Sequence, residues 1–399
     1  MTTAEVCVIG AGPSGCTAAR LLAEAGLQVL VLEEHSEIGT PVDCSGIVGV
    51  EAFDRLSLPK DAVRSHFDRF DIVSPSGRTL SFAPNRILAY IVDRRAFDQC
   101  LAGRACASGA VIWPQACVRE LEPSSNGVRL TVRRADADAE ILAQAVILAG
   151  GPRYRFQQGL GMGQPARCLR TIQAEVEQRQ AGAPRIFLGS AIAPGSFAWW
   201  LPVEHDGGYR VKVGVSSTGR SGAPFAAFID LLQRRRLLST SDEIRPRRWM
   251  IPIAPIPTTF SDRVVAVGDA AGQTKPTTGG GLYYGLLCAA IAAEVLVEGF
   301  RRGDLSSRFL VQYEQRWRRI LARELEAAQR FRRFFEQLSD ADIDHLFELV
   351  SQDGLVRYLE EEADFDWHRR TILQGAFRVR AVATFLARLR RRQLTELLS

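Results

Sequence analysis

Val6-Cys7-Val8-Ile9-Gly10-Ala11-Gly12-Pro13-Ser14-Gly15 is the stretch on which the reading of this chain turns. A short apolar run ends in a G-x-G-x-x-G turn, and a helix is expected from about Pro13 to Glu24. Each glycine has its own task in such a turn. Gly10 permits the tight bend, Gly12 lets the backbone approach a pyrophosphate, and Gly15 lets helix and strand pack closely. The helix start, where Ser14 stands, offers unpaired N–H groups and a favourable dipole to an anion. A second strand, Val29 to Leu32, then ends in Glu33, a carboxylate at the spacing expected for one that hydrogen-bonds a ribose hydroxyl. Glu33 disfavours a 2′-phosphate and therefore NADP, which leaves NAD or FAD.

A downstream segment decides between them. Arg263-Val264-Val265-Ala266-Val267 runs into Gly268-Asp269-Ala270-Ala271-Gly272, again an apolar strand followed by a turn of small residues. Asp269 can accept hydrogen bonds from ribitol hydroxyls, and its small neighbours let the chain pass close to a ligand. Thr277-Thr278-Gly279-Gly280-Gly281 then opens an apolar helix, Leu282 to Val297. The backbone N–H groups at Gly280, Gly281 and Leu282 suit an anionic flavin ring. Two such loops, far apart in sequence, point to one nucleotide cofactor held from both sides. That cofactor is read as FAD.

With these residues in view, Gly268 to Gly285, GDAAGQTKPTTGGGLYYG, resembles the signature of the geranylgeranyl reductase family, within the flavoproteins related to p-hydroxybenzoate hydroxylase. Thr40-Pro41-Val42-Asp43-Cys44-Ser45-Gly46 is similar to that family's cysteine-containing loop. Val92-Asp93-Arg94-Arg95-Ala96-Phe97-Asp98 resembles the superfamily's V-D-R-x-x-F-D helix start. Pro194-Gly195-Ser196-Phe197-Ala198-Trp199-Trp200-Leu201-Pro202 is close to a P-x-x-Y-x-W-x-F-P stretch, with Phe197 for Tyr and Leu201 for Phe. The resemblance spans nearly the whole chain. It implies that Cys44, Ser45 and Gly46 lie beside the flavin, with Cys44 a candidate catalytic proton carrier. It also implies that Arg94 neutralises phosphate or flavin charge and that Val118 offers its backbone to adenine. The family often has Asp-Gly where this chain has Gly150-Gly151, so no catalytic part is assigned there.

The resemblance further implies a reductase that hydrogenates double bonds of an isoprenoid chain on a lipid, quinone or pigment precursor. Phe197, Trp199, Trp200 and Leu201 would wall an apolar tunnel for that chain, with Tyr283 as a further substrate contact. The alternative is a flavin monooxygenase or halogenase of the same fold, because Phe197-Ala198-Trp199-Trp200-Leu201-Pro202 also resembles a W-x-W-x-I-P motif. No second G-x-G-x-x-G is present, so electrons are expected from transiently bound NAD(P)H or from ferredoxin. No Ser/His/Asp set is placed for acyl transfer, and the chemistry falls to the flavin.

Composition bounds the remaining classes. With 399 residues, 46% hydrophobic and 24% charged, the chain has the make-up of a globular protein, and no stretch approaches the ~20 uninterrupted apolar residues of a membrane span. The N-terminal apolar run is a cofactor strand rather than a signal peptide, so a cytoplasmic protein is expected. Eight cysteines without a C-x-x-C pair argue against zinc or iron–sulfur centres. The net charge of +5 is carried almost wholly by arginine and shows no basic stripe interleaved with stacking aromatics, which argues against nucleic acid. Arginines cluster instead in the last hundred residues. The final segment sets Val382, Phe385, Leu386 and Leu389 opposite arginines, as in a helix lying at the inner face of a membrane; an ordinary surface helix shows the same pattern.

The expected fold is α/β. A discontinuous Rossmann-type FAD-binding domain (1–65, 90–165 and 255–300) carries an inserted antiparallel-sheet substrate domain (66–89 and 166–254). Residues 301–399 form a helical C-terminal region. The two inserts, including a hairpin from Phe70 to Phe82 and a strand Tyr209 to Val215, are expected to join in one sheet roofing the flavin.

Overall fold

The computed structural model describes residues 2–134, 137–178, 182–205, 208–239, 243–352 and 355–378. Two compact units emerge: Met1–Arg64, Ile91–Leu169 and Met250–Leu325 form the first, and Ser65–Tyr90, Arg170–Trp249 and Glu326–Ser399 the second.

The first unit is built on an eight-stranded sheet. Its parallel centre runs Val111–Trp113, Val29–Leu32, Thr2–Ile9, Ala137–Leu148, Val264–Ala266, and the antiparallel hairpin Ala116–Ser124/Gly127–Arg134 adds to the long Ala137–Leu148 strand. Val6, Cys7 and Val8 are fully buried, as are Val146 and Ile147, because a parallel sheet covered on both faces needs apolar side chains on both. The register fixes the functional geometry. Ile9 pairs with Leu32 on one side and Leu148 on the other, and Leu148 pairs with Ala266. Four parallel strands therefore end level, and the turns that follow them gather at one edge, the place where open α/β sheets bind ligands. Three backbone bonds carry the level ends one residue further: Gly10 N–H to Leu32 at 2.8 Å, Ala149 N–H to Ile9 at 2.9 Å and Val267 N–H to Leu148 at 2.9 Å.

The first helix spans Pro13–Glu24, and the second strand Val29–Leu32, as the sequence predicts. The helix after the second glycine loop is longer than expected, Leu282–Arg302, and is closed by Gly303 at a φ of +67°. By length and composition it alone among the described helices is apolar enough to cross a membrane, yet 72% of its apolar window is buried inside the protein. It is a core helix. Tyr284, Leu286 and Ala292 fill the first unit's interior, and a leucine buried in this way contributes about 1.5–3 kcal/mol by leaving water.

The second unit contains a seven-stranded sheet in the order Arg247–Pro252, Cys168–Gln178, Gly208–Ser217, Ala198–His205, Arg185–Phe187, Phe70–Val73, Thr79–Phe82. The two sequence inserts do join in one sheet, and the Phe70–Phe82 hairpin forms, with Asp71 opposite Ser81. Four of its strand pairs are antiparallel, and Arg185–Phe187 runs parallel to Phe70–Val73. The helix Gly222–Arg234 supplies Phe225, Phe228 and Leu232 to a core shared with Ile172, Trp200, Val211, Val213 and Val215. The helical stretch continues through Ser307–Phe335, Asp340–Gln352, Leu355–Glu362 and Arg369–Arg378. The basic segment around Val382, Phe385, Leu386 and Leu389 lies outside the described residues.

Candidate functional site

The two glycine turns meet. A Cβ on Gly285, in the first turn of the Leu282–Arg302 helix, would stand 2.6 Å from Ser14 Oγ and 3.1 Å from Gly268 Cα, and a Cβ on Gly268 would stand 2.6 Å from the same Ser14 Oγ. Ser14 is thus wedged between the second turn and the helix that follows it. Gly268 has a φ of +63°, a conformation that favours glycine.

Within the first turn the glycines divide the work. A Cβ on Gly15 would fall 2.0 Å from the Gly10 carbonyl oxygen, and one on Gly10, at a φ of +104°, would fall 2.5 Å from the Ala149 carbonyl. Those two are demanded by the protein's own packing. Gly12 differs: a Cβ there would meet no protein atom within 4 Å. The space in front of Gly12 is a cradle that a side chain would fill.

Gly12 is also the N-cap of the first helix, with Pro13 behind it and no side chain capping the turn; Gly281 is the N-cap of the Leu282–Arg302 helix, equally without a side-chain cap. Helix starts normally recruit Ser, Thr, Asp or Asn for their free N–H groups. Two uncapped starts, each following a turn at the same end of one sheet, leave donors for an anionic ligand.

Acidic groups stand at both turns. The Glu33 carboxylate accepts the Ala11 N–H at 2.9 Å and the His35 N–H at 3.0 Å. Asp269 lies against Gly281, where a Cβ would stand 2.7 Å from its Oδ1. Burial pushes the Asp269 carboxyl up to about 6, while the Arg94 guanidinium pulls the other way. Arg94 forks onto Asp98, Nε to Oδ1 at 2.9 Å and Nη2 to Oδ2 at 2.8 Å, and also hydrogen-bonds Cys44. Burial works against the Arg94 charge, yet Asp98 above all keeps its proton bound more tightly than usual. Its charge is therefore matched inside the protein.

Cys44, Ser45 and Gly46 lie in a loop tied to the strand Ala89–Val92, whose Val92 N–H reaches the Gly46 carbonyl at 2.9 Å. Gly46 has a φ of +83° and points its N–H at Cys44 Sγ at 3.4 Å. Gly39 lets the same loop press on the Arg94–Ala107 helix, since a Cβ there would stand 2.8 Å from Arg95 Cα. Through Arg94 the thiol of Cys44 and the carboxylate of Asp269 share one electrostatic neighbour.

Gly280 presses on Lys275, whose Cε would be 2.7 Å from an added Cβ, and the Lys275 N–H closes the loop on the Gly280 carbonyl at 3.0 Å. Leu282 is the first helical residue. The Val118 carbonyl accepts Arg155 Nη1 at 2.9 Å, so an adenine amino group arriving there would share it. Tyr283 is 2% exposed and its hydroxyl is engaged, donating to Glu51 at 2.6 Å and accepting from Arg55 at 3.1 Å.

The aromatic stretch of the second unit splits across its sheet. Trp200 is a correction to the expected tunnel wall, because alternation along the strand sends it with Ala198 into the core under the Gly222–Arg234 helix. Trp199 faces the other side, half-buried, its ring lying over Gly214 so closely that a Cβ there would be 2.2 Å away, and its Nε1 donating to Gln173 at 3.1 Å. Phe197 leans on Trp199 with ring centroids 6.0 Å apart, and Leu201 is 2% exposed.

Several supporting residues carry no signal in the sequence. Tyr154 donates its hydroxyl to the Asp269 carbonyl at 2.8 Å, and Gln157 holds the Ala270 carbonyl at 3.0 Å. The Gly268 N–H is taken by Gln273, which in turn donates to Tyr313. Burial first, then the Asp269 charge, raise both the Tyr154 phenol and the Cys168 thiol. Only tertiary contact gathers these groups around the second turn.

Comparison with known proteins agrees with this geometry. Residues 8–50 match the family described as NAD(P)-binding Rossmann-like domain, and residues 238–361 match the lycopene cyclase protein family. The digeranylgeranylglycerophospholipid reductase of Methanosphaerula palustris is 30% identical over 364 residues, covering 86% of this chain and 89% of that protein. A geranylgeranyl bacteriochlorophyll reductase-like structure from Thermoplasma acidophilum superposes with a TM-score of 0.85 at 22% identity, over 98% of this chain and 100% of that one. A p-nitrophenol 4-monooxygenase structure from Pseudomonas putida shares the fold at a TM-score of 0.70 and 20% identity, over 90% and 97%. By sequence over most of its length, the chain belongs to the geranylgeranyl reductase family.

Proposed function

We propose that this protein is an FAD-dependent reductase that hydrogenates carbon–carbon double bonds of an isoprenoid, geranylgeranyl-type chain carried by a lipid. The observation that carries the reading is the meeting of two uncapped, glycine-opened helix starts at one sheet edge, flanked by Glu33 and Asp269. The residues fit the cofactor. Gly12 and the Ser14 and Gly15 N–H groups would face the pyrophosphate, Glu33 the adenosine ribose, Asp269 the ribityl chain, and Gly281 and Leu282 the flavin ring. When bound, FAD supplies the hydride that the alkene accepts.

The protein's share of the chemistry is positioning, exclusion of water and delivery of a proton. Cys44 is the proton carrier in this reading, its sulfur oriented by Arg94 and by the Gly46 N–H. Trp199, Phe197 and Leu201 would line the path of the prenyl chain, whose burial contributes about 0.8 kcal/mol per CH₂ and so needs few polar contacts. Electrons would arrive from NAD(P)H or ferredoxin. The Ser307–Phe335 helix exposes Arg319, Ile320, Arg323, Arg330 and Phe331, a mixture suited to peripheral contact with an anionic membrane on the cytoplasmic side.

The test is anaerobic. FAD-loaded protein, chemically reduced and given a geranylgeranylated phospholipid, should yield products heavier by two hydrogens per bond saturated. A monooxygenase or halogenase of the same fold would leave the lipid unchanged without oxygen and would give an oxygenated or halogenated product only when oxygen is supplied.

A further inference from the structure

Glu33 does not hold its conformation unaided. The backbone from Glu33 to His35 is stitched to the neighbouring segment by three bonds: Glu33 N–H to Trp113 at 2.9 Å, Ala116 N–H to Glu33 at 2.8 Å and Gln115 N–H to His35 at 3.0 Å. Gln115 takes a φ of +54° to make the last of them. With its main chain fixed, the His35 ring turns back onto Glu33, placing Nδ1 2.6 Å from Oε1, the oxygen that also accepts the His35 N–H. The other oxygen, Oε2, receives the Ala11 N–H from the middle of the first glycine turn. Nε2 looks toward Glu34, 3.9 Å away, which is itself tied to Arg153 at 2.6 Å.

A carboxylate only accepts hydrogen bonds, so the short contact places the ring proton on Nδ1. His35 then supplies both donors to Oε1, whereas among the described residues Oε2 accepts only the Ala11 N–H and so keeps a lone pair for a further donor. We propose that His35 is a positioning residue for nucleotide recognition, clamping the Glu33 carboxylate so that it meets the vicinal diol of an adenosine ribose. This inference rests on the flavin reading and adds to it a residue that acts through Glu33.

The test exploits the fact that FMN carries the isoalloxazine ring, ribityl chain and one phosphate but lacks the adenosine ribose. Full-length protein stripped of flavin is titrated with FAD and, separately, with FMN, following flavin fluorescence. His35→Leu should weaken FAD about tenfold, the scale of one hydrogen bond to a charged group, and leave FMN within about twofold. His35→Asn, whose Nδ2 is as many bonds from the main chain as Nδ1 of histidine, should recover most of the FAD affinity. Equal weakening of FAD and FMN, no weakening of either, or no recovery in His35→Asn would each overturn the proposal. If the unmodified protein binds neither flavin, the flavin reading itself fails and this inference falls with it. Selective loss of FAD with the wild-type protein binding both is the supporting result.

Discussion

Two glycines three residues apart should respond in opposite ways to the same added methyl group. In Gly15→Ala the new Cβ would sit 2.0 Å from the Gly10 carbonyl oxygen, a backbone atom, and 3.2 Å from Ala149 Cβ. The helix start must move by more than 1 Å from the turn to restore ordinary contact. Alanine gains about 1 kcal/mol over glycine in a helix, but overpacking of this kind costs about 1–3 kcal/mol, so the flavin-free protein should lose up to about 2 kcal/mol. In Gly12→Ala the methyl meets no protein atom, and the residue's φ of −70° and ψ of 176° suit alanine. Flavin-free stability should then change only by the small N-cap preference of glycine over alanine, under about 1 kcal/mol. FAD affinity should nevertheless fall by at least about tenfold, because the methyl occupies the approach of the pyrophosphate. Urea unfolding of the stripped proteins and FAD titration measure the two quantities separately. If Gly12→Ala binds FAD as tightly as wild type, the turn does not cradle a pyrophosphate and the cofactor assignment is refuted. If Gly15→Ala is more stable than wild type, the close packing described for that helix is wrong.

Other perturbations probe the remaining parts. Cys44→Ala should retain FAD and lose most double-bond reduction; unchanged turnover in the anaerobic lipid assay would make Cys44 a spectator. Gly214→Ala should expel the Trp199 ring and break its bond to Gln173, with a loss of about 1–3 kcal/mol and a change in tryptophan fluorescence; an unshifted spectrum and urea midpoint would contradict the contact. Asp269, whose folded-state value of about 6 lies above the usual 3.8, binds a proton more readily in the folded protein. Its contribution favours the fold below pH ~4 and is lost as pH rises through ~6. Stripped wild type should therefore lose stability relative to Asp269→Asn between pH 4.5 and 7.5, and parallel curves from the two proteins would argue against a buried acid there.

Much of the first unit is legible in the chain. The apolar run to Ile9, the glycine spacing and the run from Val29 to Leu32 identify their elements because a buried parallel strand and a tight turn are local demands, satisfied by few residue types. The same holds for the Phe70–Phe82 hairpin, where Ser-Gly turn chemistry lies between alternating runs. Trp200 shows the limit. A family pattern places it in a row with Trp199 and Leu201, but the period of two in a strand sends neighbours to opposite faces, and only the position of the Gly222–Arg234 helix tells which face is core.

Tyr154, Gln157, Gln273 and Tyr313 were illegible for a related reason: a polar side chain that satisfies a distant backbone group leaves no periodicity behind. His35 looks like any histidine until its ring is seen against Glu33. The sequence by itself determined the existence of two ligand-ready turns, since glycines and strand ends obey short-range sterics. The level register of four parallel strands, Ile9, Leu32, Leu148 and Ala266, is a long-range hydrogen-bonding result, and it is what brought those turns to one edge around Ser14.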